Sequence, residues 1–330
     1  MLTRRHFMLA PLLLAACGGR DEGKTRPLFT ADTHPDEYPT VQALHAIDRL
    51  LDERTNGEMR LRIYAGGQMG AEKDTLEITV FGGLDLNRVN LAPLNSIVPE
   101  TIVLALPFLF RSIPHARAAF DGSTGRKILD AMSTQGLHGL CYYDSGARSF
   151  YNTKRPIRTP DDMQGMKLRV QNSDIYVAMV SALGANPTPI PYGEVYQALV
   201  QGVVDGAENN WPSYESARHF EAAPYYSLTR HVMAPEVLVA SERRWEMMTN
   251  EERDYLQAAA YDSVPIMRKI WDARVDASRS RLIESGVQVV EDLDREAFSS
   301  LMLPVWDRFL TDPKTRALAD EIVALEVADE

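Results

Sequence analysis

A short alternating segment, Lys167-Leu168-Arg169-Val170, contains the residue best suited to binding chemistry. If it forms a strand, Leu168 and Val170 share one face, and Lys167 and Arg169 share the opposite, solvent-facing one. The guanidinium of Arg169 is a planar fork of N–H donors, which suits a carboxylate or a phosphate. A solvated arginine on a strand is at least as common as one that binds a ligand. Other polar residues must therefore decide between the two interpretations.

Further polar side chains occur near the ends of predicted strands, which is where ligands bind in open α/β sheets. They are His34, Glu72, Arg88, Asn90, Arg148 and Asn209. Each residue taken alone is more often structural or solvated than functional. Together with Arg169, however, they supply several cations and several acid or amide groups, a combination that suits one small, hydroxyl-rich carboxylate.

Motifs of enzymes are not found in the sequence. The histidines are scattered, without an HExxH motif or the Cys/His spacing of a zinc site. There is no GxSxG nucleophile motif, no phosphate-binding GxxxxGK motif and no GxGxxG between a strand and a helix. Asp205 and Glu208 could act as an acid and a base, but Asp205-Gly206 is a turn signal. We therefore predict a protein that is not an enzyme and has no metal or cofactor.

Charge and length restrict the partners and the architecture. The chain has 330 residues, of which 45% are hydrophobic and 25% are charged, and its formal charge is −11. This length allows two ordinary domains or one large α/β domain. No basic stripe is present, so nucleic acid and anionic lipid surfaces are poor candidate partners. An anionic ligand must then be held by a few local arginines.

The N-terminal segment predicts export to the periplasm. Arg4 and Arg5 precede an apolar stretch that is too short to span a bilayer, an arrangement that resembles a twin-arginine signal. Residues 14–17 (LAAC) resemble a lipobox, in which Cys17 is lipidated and anchors the mature protein. An ordinary cleaved signal with an incidental cysteine is the alternative. We expect this anchor to be the protein's only association with the membrane.

Hydrophobic periodicity predicts the elements that must position the polar residues. Strands over 28–33, 59–64 and 84–91 alternate with helices over 38–56 and 72–82. This alternation predicts an α/β fold with a parallel-type sheet. The apolar segment from Ile102 to Phe110 contains Pro107 and is too short to cross a membrane, so we predict that it is buried.

The later part of the chain predicts further strands and one very long helix. The strands are predicted over 137–143, 225–229, 236–240 and 287–290, with Cys141 packed in the core. A charged helix is predicted from Asn250 to Ser285, in which Pro265 implies either a kink or two separate helices. A last helix is predicted over about 293–310.

Several segments resemble the extracytoplasmic solute-binding proteins of tripartite ATP-independent periplasmic (TRAP) transporters, in the family of C4-dicarboxylate-binding proteins. They are residues 106–110 (LPFLF), 156–170 (PIRTPDDMQGMKLRV), 194–199 (EVYQAL) and 202–209 (GVVDGAEN). These segments occur in order and the resemblance covers essentially the whole mature chain. It implies a two-lobed α/β periplasmic binding protein that closes like a clamp, with a long helix spanning both lobes.

The resemblance also implies a division of the chain and roles for the polar residues. After a signal over 1–16 and a tether over 17–26, the first lobe would comprise 27–147 with part of 230–260, and the second 148–229 with part of 261–330. By resemblance, Arg169 forms a salt bridge with the ligand carboxylate, Arg148 is its companion and Asn209 hydrogen-bonds the ligand. The other residues implied to line the cleft are His34, Glu72, Arg88, Asn90, Asn172 and Tyr192, and Glu72, Arg88 and Asn209 would select the acid.

Residues 207–214 (AENNWPSY) resemble the subgroup that binds hexuronates such as D-glucuronate and D-galacturonate. The predicted function is therefore the capture of a sugar acid by a periplasmic monomer, which delivers it to TRAP permease subunits. A C4-dicarboxylate or another organic acid is an alternative ligand. A ligand-sensing lipoprotein or a lyase on the same fold is an alternative function.

Overall fold

The computed structural model describes residues 26–327 of the chain. The predicted signal and the predicted lipidation site Cys17 lie outside the described residues. Within the described range, a five-stranded and a six-stranded sheet are both packed against helices. Their strands are β1 (Leu28–Asp32), β2 (Leu61–Tyr64), β3 (Leu86–Asn90), β4 (Leu137–Tyr143), β5 (Arg148–Asn152), β6 (Lys167–Val170), β7 (Asn186–Pro189), β8 (Gly206–Asn209), β9 (Tyr225–Val232), β10 (Glu236–Ser241) and β11 (Gln288–Val290).

The α-helices of the described range connect these strands and cover the sheets. They are α1 (Pro39–Arg54), α2 (Glu72–Val80), α3 (Ile113–Asp121), α4 (Ser123–Ala131), α5 (Asp174–Ala182), α6 (Val195–Val200), α7 (Trp211–Ser216), α8 (Glu242–Met247), α9 (Asn250–Glu284), α10 (Arg295–Ser300), α11 (Leu303–Phe309) and α12 (Pro313–Val323). The predicted α/β class is confirmed.

The first sheet has the strand order β2-β1-β3-β10-β4. Strand β1 is parallel to β2 and β3, as the alternation of strands and helices predicts, whereas β10 is antiparallel to both β3 and β4. The parallel-type prediction is therefore wrong for part of this sheet. The reason is that β10 does not come from a βαβ crossover but enters directly from β9 of the other sheet through residues 233–235.

The second sheet has the order β11-β9-β5-β8-β6-β7, and it contains the segment that carries Arg169. The chain crosses between the two sheets at residues 144–147, between β4 and β5, and again at 233–235. Residues 99–105 form a 3₁₀ helix, and most of the apolar segment Ile102–Phe110 is buried as predicted. Cys141 is also buried, and burial raises the pKa of its thiol to about 12.

Helix α9 packs against elements on the side of the five-stranded sheet and against α7, which follows a strand of the six-stranded sheet. It begins with a capping box, in which Thr249 accepts from the main-chain N–H of Glu252, and its first half packs on α1 and β4. Its second half packs on α7, where Arg281 pairs with Glu215. The predicted helix that spans both lobes is thereby confirmed. Pro265 lies inside one continuous helix, so the alternative of two separate helices is wrong.

The predicted final helix over 293–310 is wrong in its length. It is divided into α10 and α11 because Pro304 lies in the first turn of α11, where its missing N–H is tolerated, and a helix continuing through it would lose a hydrogen bond. Between residues 26 and 327, no helix is both long and apolar enough to cross a bilayer. Helix α9 has 35 residues, but charged residues lie along much of its surface.

Candidate carboxylate-binding cleft

Two small adjoining cavities lie where the loops after β1 and β3 face the loops after β6 and β7. Their volumes are about 40 and 10 Å³, and both are lined by Thr33, Glu72, Gln171 and Tyr192. Among the predicted residues, Arg169 and Asn172 line the larger cavity, and His34, Asn90, Arg148 and Asn209 line the smaller one. The structure therefore brings eight of the nine predicted binding residues to one cleft, and it places Arg88 behind it.

Arg169 is buried in this cleft with its charge unmatched. Only 2% of the residue is exposed, so the expectation of a solvent-facing side chain is wrong for Arg169, although it is right for Lys167 on the same face of the strand. Its Nε donates to the main-chain oxygen of Ile190 at 2.8 Å, and its buried Nη1 has no hydrogen-bond partner. No carboxylate in the described part of the chain lies within 4.0 Å of its nitrogens. Burial lowers the pKa of the guanidinium below its ordinary value, as expected when a cation is desolvated without a partner.

Arg148 is equally buried but is paired. Its Nε and Nη2 both donate to the carboxylate of Glu208, with Nη2 at 2.9 Å from Oε1. The pairing follows from the sheet, because β5 and β8 are antiparallel neighbours. Burial alone would raise the pKa of Glu208, but the charge of Arg148 and a contact with His231 lower it to about 2. Arg148 still lines the smaller cavity, so its guanidinium lies beside any ligand there.

Arg88 lies under the cleft within a cluster of carboxylates. It is fully buried and pairs with Asp32, with Glu72 at 3.1 Å and with Glu236 at 2.5 Å. Strand register produces this cluster. Asp32 on β1 lies opposite Arg88 on β3, and so does Leu238 on β10. Glu236 is two residues before Leu238 and therefore lies on the same face of β10, next to Arg88. Arg88 does not line either cleft cavity. Its charge is thus already neutralised by protein groups.

Glu72 connects this buried cluster to the cleft. Its Oε1 accepts from Arg88 Nη1 at 3.1 Å and from the main-chain N–H of Asn90 at 3.0 Å. The side chain of Asn90 is also engaged, because its Nδ2 donates to Glu236 and its Oδ1 accepts from Ala92. Burial raises the pKa of Glu72 to about 7, because its effect is larger than the lowering by the charge of Arg88, and the negative charge of Glu236 adds a smaller increase.

This raised pKa gives a testable dependence of stability on pH. The folded protein holds the proton of Glu72 more tightly than the unfolded chain, so the associated stability is full below the ordinary pKa of 4.5 and is lost as the pH rises through about 7. The free energy of unfolding of the wild type should therefore fall relative to that of Glu72→Gln between pH 4.5 and 8. Urea unfolding across this range measures the difference, and Glu77→Gln on the exposed side of α2 is the control. A pH-independent difference for Glu72→Gln would contradict the prediction.

Aromatic rings form one wall of the cleft. The imidazole of His34 stacks on Tyr38 with ring centroids 3.8 Å apart, and the edge of Tyr192 approaches it from the other sheet at 5.0 Å. Burial lowers the pKa of His34 well below its ordinary value, and Arg88 and Arg148 lower it further, so the ring is neutral at physiological pH. Its buried Nδ1 has no hydrogen-bond partner.

Asn209 lies deep in the cleft, and Asn172 lies near its entrance. Asn209 is buried, and its Oδ1 accepts from the main-chain N–H of Asn210 at 2.9 Å, which fixes the orientation of the amide. Asn172 is exposed and lies at the rim of the larger cavity. Asn209 is therefore placed for a contact deep in the cleft, and Asn172 for one at its entrance.

Sequence reasoning missed several residues that shape this cleft, among them Asp32, Gln171, Glu208 and Glu236. Glu208 was considered only as an acid/base candidate, although an acidic residue inside an apolar strand pattern is itself a signal of a buried partner. Gln171 follows the Arg169 strand, and its buried Oε1 has no hydrogen-bond partner. No cluster of potential metal ligands is found among residues 26–327. The polar groups described in the cleft form hydrogen bonds and ion pairs.

Comparison with known proteins agrees with this geometry. Residues 30–312 match the family described as bacterial extracellular solute-binding protein, family 7. The chain belongs to this family. A curated solute-binding protein of Chromohalobacter salexigens is 41% identical over 290 residues, which cover 88% of this chain and 86% of the relative. The protein is thus an extracytoplasmic solute-binding protein of the TRAP class.

Solved structures of TRAP periplasmic solute-binding proteins share its fold closely. One from Bradyrhizobium sp. BTAi1, in complex with α/β-D-galacturonate, is 49% identical with a TM-score of 0.90, and the match covers 91% of this chain and all of that one. Another from Chromohalobacter salexigens, with bound D-glucuronate, is 40% identical with a TM-score of 0.87, covering 90% of this chain and 99% of that one. The two-lobed architecture implied by the sequence resemblance is therefore shown.

Proposed function

We propose that this TRAP solute-binding protein captures a hexuronate, D-galacturonate or D-glucuronate, between its two sheets and delivers it to a TRAP membrane permease. The observation that carries the proposal is the buried guanidinium of Arg169, which has no carboxylate partner among the described residues. A ligand carboxylate would supply the missing charge through a bidentate pair. Related proteins of similar fold hold the same class of sugar acid.

The remaining cleft residues suit the hydroxyl-bearing ring of such a ligand. We assign the carboxylate to Arg169 with Arg148 beside it. Hydroxyl groups would meet the amides of Gln171 and Asn209 and the carboxyl group of Glu72, because these groups accept or donate hydrogen bonds. The rings of His34 and Tyr192 would cover one face of the sugar, and Asn172 would contact the ligand at the rim.

Arg88 and Asn90 have a different role in this proposal. Arg88 is held by Asp32, Glu72 and Glu236, and the side chain of Asn90 is held by Glu236 and Ala92. Neither side chain is free to bind a hydroxyl group without breaking these contacts. We therefore assign both to positioning Glu72, which reaches the ligand, and we assign the selection of the acid to Glu72, Gln171 and Asn209.

Entry of a sugar acid requires the cleft to open. Cavities of about 40 and 10 Å³ are far smaller than the roughly 300–1,000 Å³ of sites that hold small molecules. Hydrogen bonds also join the two sides, from Tyr38 to Ser213 at 2.8 Å and from Ser173 to Asn95 at 2.7 Å. We infer that the lobes separate about the crossing segments at residues 144–147 and 233–235, admit the ligand and close over it.

The charge balance favours a monocarboxylate over a C4-dicarboxylate. A second ligand carboxylate would need a second unmatched cation, but Arg88 and Arg148 are already paired with protein carboxylates. Calorimetric titration tests this proposal with D-galacturonate, D-glucuronate, neutral D-galactose and succinate. We expect binding of at least one uronate and at least about 30-fold weaker binding of galactose, because a buried charged pair is lost. Equal affinity for galactose, or preference for succinate, would contradict it.

We also propose that the protein only binds its ligand and does not transform it. A lyase would require a base placed against the sugar, and the groups considered for this were Glu72 and His34. Incubation with each uronate, followed by NMR of the solution, should return the sugar unchanged. Release of an unsaturated product would favour the lyase alternative.

Export and anchoring depend on residues that precede the described range. We predict a periplasmic monomer that is held at the membrane through a lipid on Cys17 after removal of residues 1–16. Cys17→Ala should move the protein from the membrane fraction to the soluble periplasmic fraction, because the lipid chains are the predicted anchor. Fractionation and mass spectrometry of the mature N-terminus measure this. An unmodified Cys17 in the wild type would contradict the lipid anchor and favour the alternative of an ordinary cleaved signal.

A further inference from the structure

A second and larger cavity lies behind the cleft, between α9 and the crossing segments. Its volume is about 570 Å³, within the range of sites that hold small molecules. It shares no lining residue with the two cleft cavities. Apolar side chains of Trp211, Leu228, Met233, Trp271 and Val275 form much of its wall. This cavity can therefore accommodate an apolar group larger than a methyl or a water molecule.

Arginines without acidic partners surround this apolar wall. Arg111, Arg230 and Arg295 all line the cavity, and within residues 26–327 none of them has a carboxylate within 4.0 Å. Arg111 and Arg295 instead donate to main-chain oxygens, Arg295 to that of Thr229 at 2.9 Å. Burial lowers the pKa of Arg295, and the charge of Arg230 lowers it further. Arg111 and Arg230 are exposed to solvent, whereas Arg295 is half-buried with its guanidinium 4.9 Å from the ring centroid of Phe108.

The cavity wall also contains two charged side chains that form ion pairs and one acidic side chain that does not. Arg279 is paired with Glu291 at 2.8 Å, and Asp272 is paired with Arg117 at 2.6 Å. Asp276 lies in the wall and makes no ion pair with the described residues. The three unpaired arginines therefore exceed the one unpaired acid, and the cavity has a net positive charge.

An irregularity of β9 places one of the arginines at this cavity. Between Ser227 and Val232 the register of β9 on β5 shifts, which marks a bulge. Arg230 lies in the bulge with φ of 45°, a left-handed conformation that is uncommon outside glycine. Backbone of this kind persists where the surrounding structure imposes it, often beside a binding site. Here it brings the Arg230 side chain to the cavity wall next to Arg295.

We propose that this cavity is a second ligand site, for a small organic anion that has an apolar body. The anionic group would pair with Arg230 and Arg295, and Arg111 would lie at the rim. The apolar body would pack between Trp211 and Trp271, which have the large, flat surfaces that such contacts need. Gly146 and Met233, one from each crossing segment, also line the cavity, so a bound anion lies beside the segments about which the lobes move.

Fluorescence titration with 8-anilinonaphthalene-1-sulfonate tests this site, because the probe combines an aromatic body with one sulfonate. The titration is made on the purified mature protein with and without D-galacturonate, so failure of the uronate proposal does not affect its outcome. The double variant Arg230→Gln/Arg295→Gln should bind the probe at least about tenfold more weakly, since two charge-assisted contacts are lost. Asp276→Asn should bind it more tightly, because a repelling carboxylate is removed.

The matched control is Arg49→Gln/Arg62→Gln, which removes two exposed arginines from α1 and β2. These residues do not line the cavity, and we expect the affinity of this variant to stay within about twofold of the wild type. Equal weakening by the two arginine pairs would show that only overall charge matters and would overturn the proposal. Absence of saturable binding to the wild type would also overturn it.

Discussion

Replacement of Arg169 by methionine should weaken uronate binding at least about 30-fold and leave the unliganded protein at least as stable as the wild type. Removal of one partner from a buried charged pair costs about 2–5 kcal/mol, which weakens binding about 30- to 4,000-fold. Without ligand, however, this guanidinium is an unpaired buried charge, and such a charge costs folding free energy. Methionine fills similar space without that cost. Loss of affinity together with retained stability distinguishes a ligand-binding cation from a structural one.

Two measurements on Arg169→Met are needed together: calorimetric titration with D-galacturonate and urea unfolding without ligand. Arg158→Met is the matched control, because Arg158 is exposed in the same part of the sequence and its one ion pair within residues 26–327 is with the exposed Asp292. That control should change neither quantity measurably. A large loss of stability in Arg169→Met would indicate that its hydrogen bond to Ile190 is structural, and unchanged affinity would remove Arg169 from the site.

Replacement of Arg88 by methionine should strongly lower the free energy of unfolding, in contrast to Arg169→Met. The substitution leaves Asp32, Glu72 and Glu236 buried around an apolar side chain. Breaking a buried ion pair from one side costs about 3–5 kcal/mol, and here three carboxylates lose their shared partner. Urea unfolding at pH 8 measures this loss. The control is Arg60→Met. Arg60 is exposed and pairs with the partly buried Asp48 and the exposed Asp52, so this substitution should cost about 1 kcal/mol or less.

The loss in Arg88→Met should also depend on pH. Burial already raises the pKa values of Asp32 and Glu72, and loss of the guanidinium should raise them further, so these two groups take up protons on folding near pH 5. The destabilisation relative to wild type should therefore be smaller at pH 5 than at pH 8. An equal loss at both pH values would mean that lost packing, and not unpaired charge, causes the effect. A loss no larger than that of Arg60→Met would contradict the charge cluster itself.

The sequence predicted the strands and which residues line the cleft better than it predicted the partner of each side chain. Alternation along residues 167–170 identified a strand and singled out Arg169, and a buried core around Ile102–Phe110 followed from its apolar run. It did not indicate that Arg169 is buried, because period-two alternation assigns one face to solvent. In this fold that face is turned toward the opposite sheet, which is a property of how the two sheets are connected.

Partners of the other arginines depend on strand register, which a single sequence does not specify. Asp32 meets Arg88 because β1 and β3 are parallel neighbours, and Glu236 meets it only because β10 enters the same sheet in the antiparallel direction. These contacts join residues that are 56 and 148 positions apart. For this reason Arg88 was expected to select the ligand, whereas the structure neutralises it beneath the cleft.

A crystal structure of the protein with D-galacturonate tests the central claim most directly. The account predicts that the two carboxylate oxygens of the sugar lie about 2.7–2.9 Å from the guanidinium nitrogens of Arg169, as in a bidentate charged pair. It also predicts that Arg88 retains its contacts with Asp32 and Glu236 in the complex. A sugar carboxylate more than about 4 Å from Arg169, or one paired with Arg88, would contradict the account.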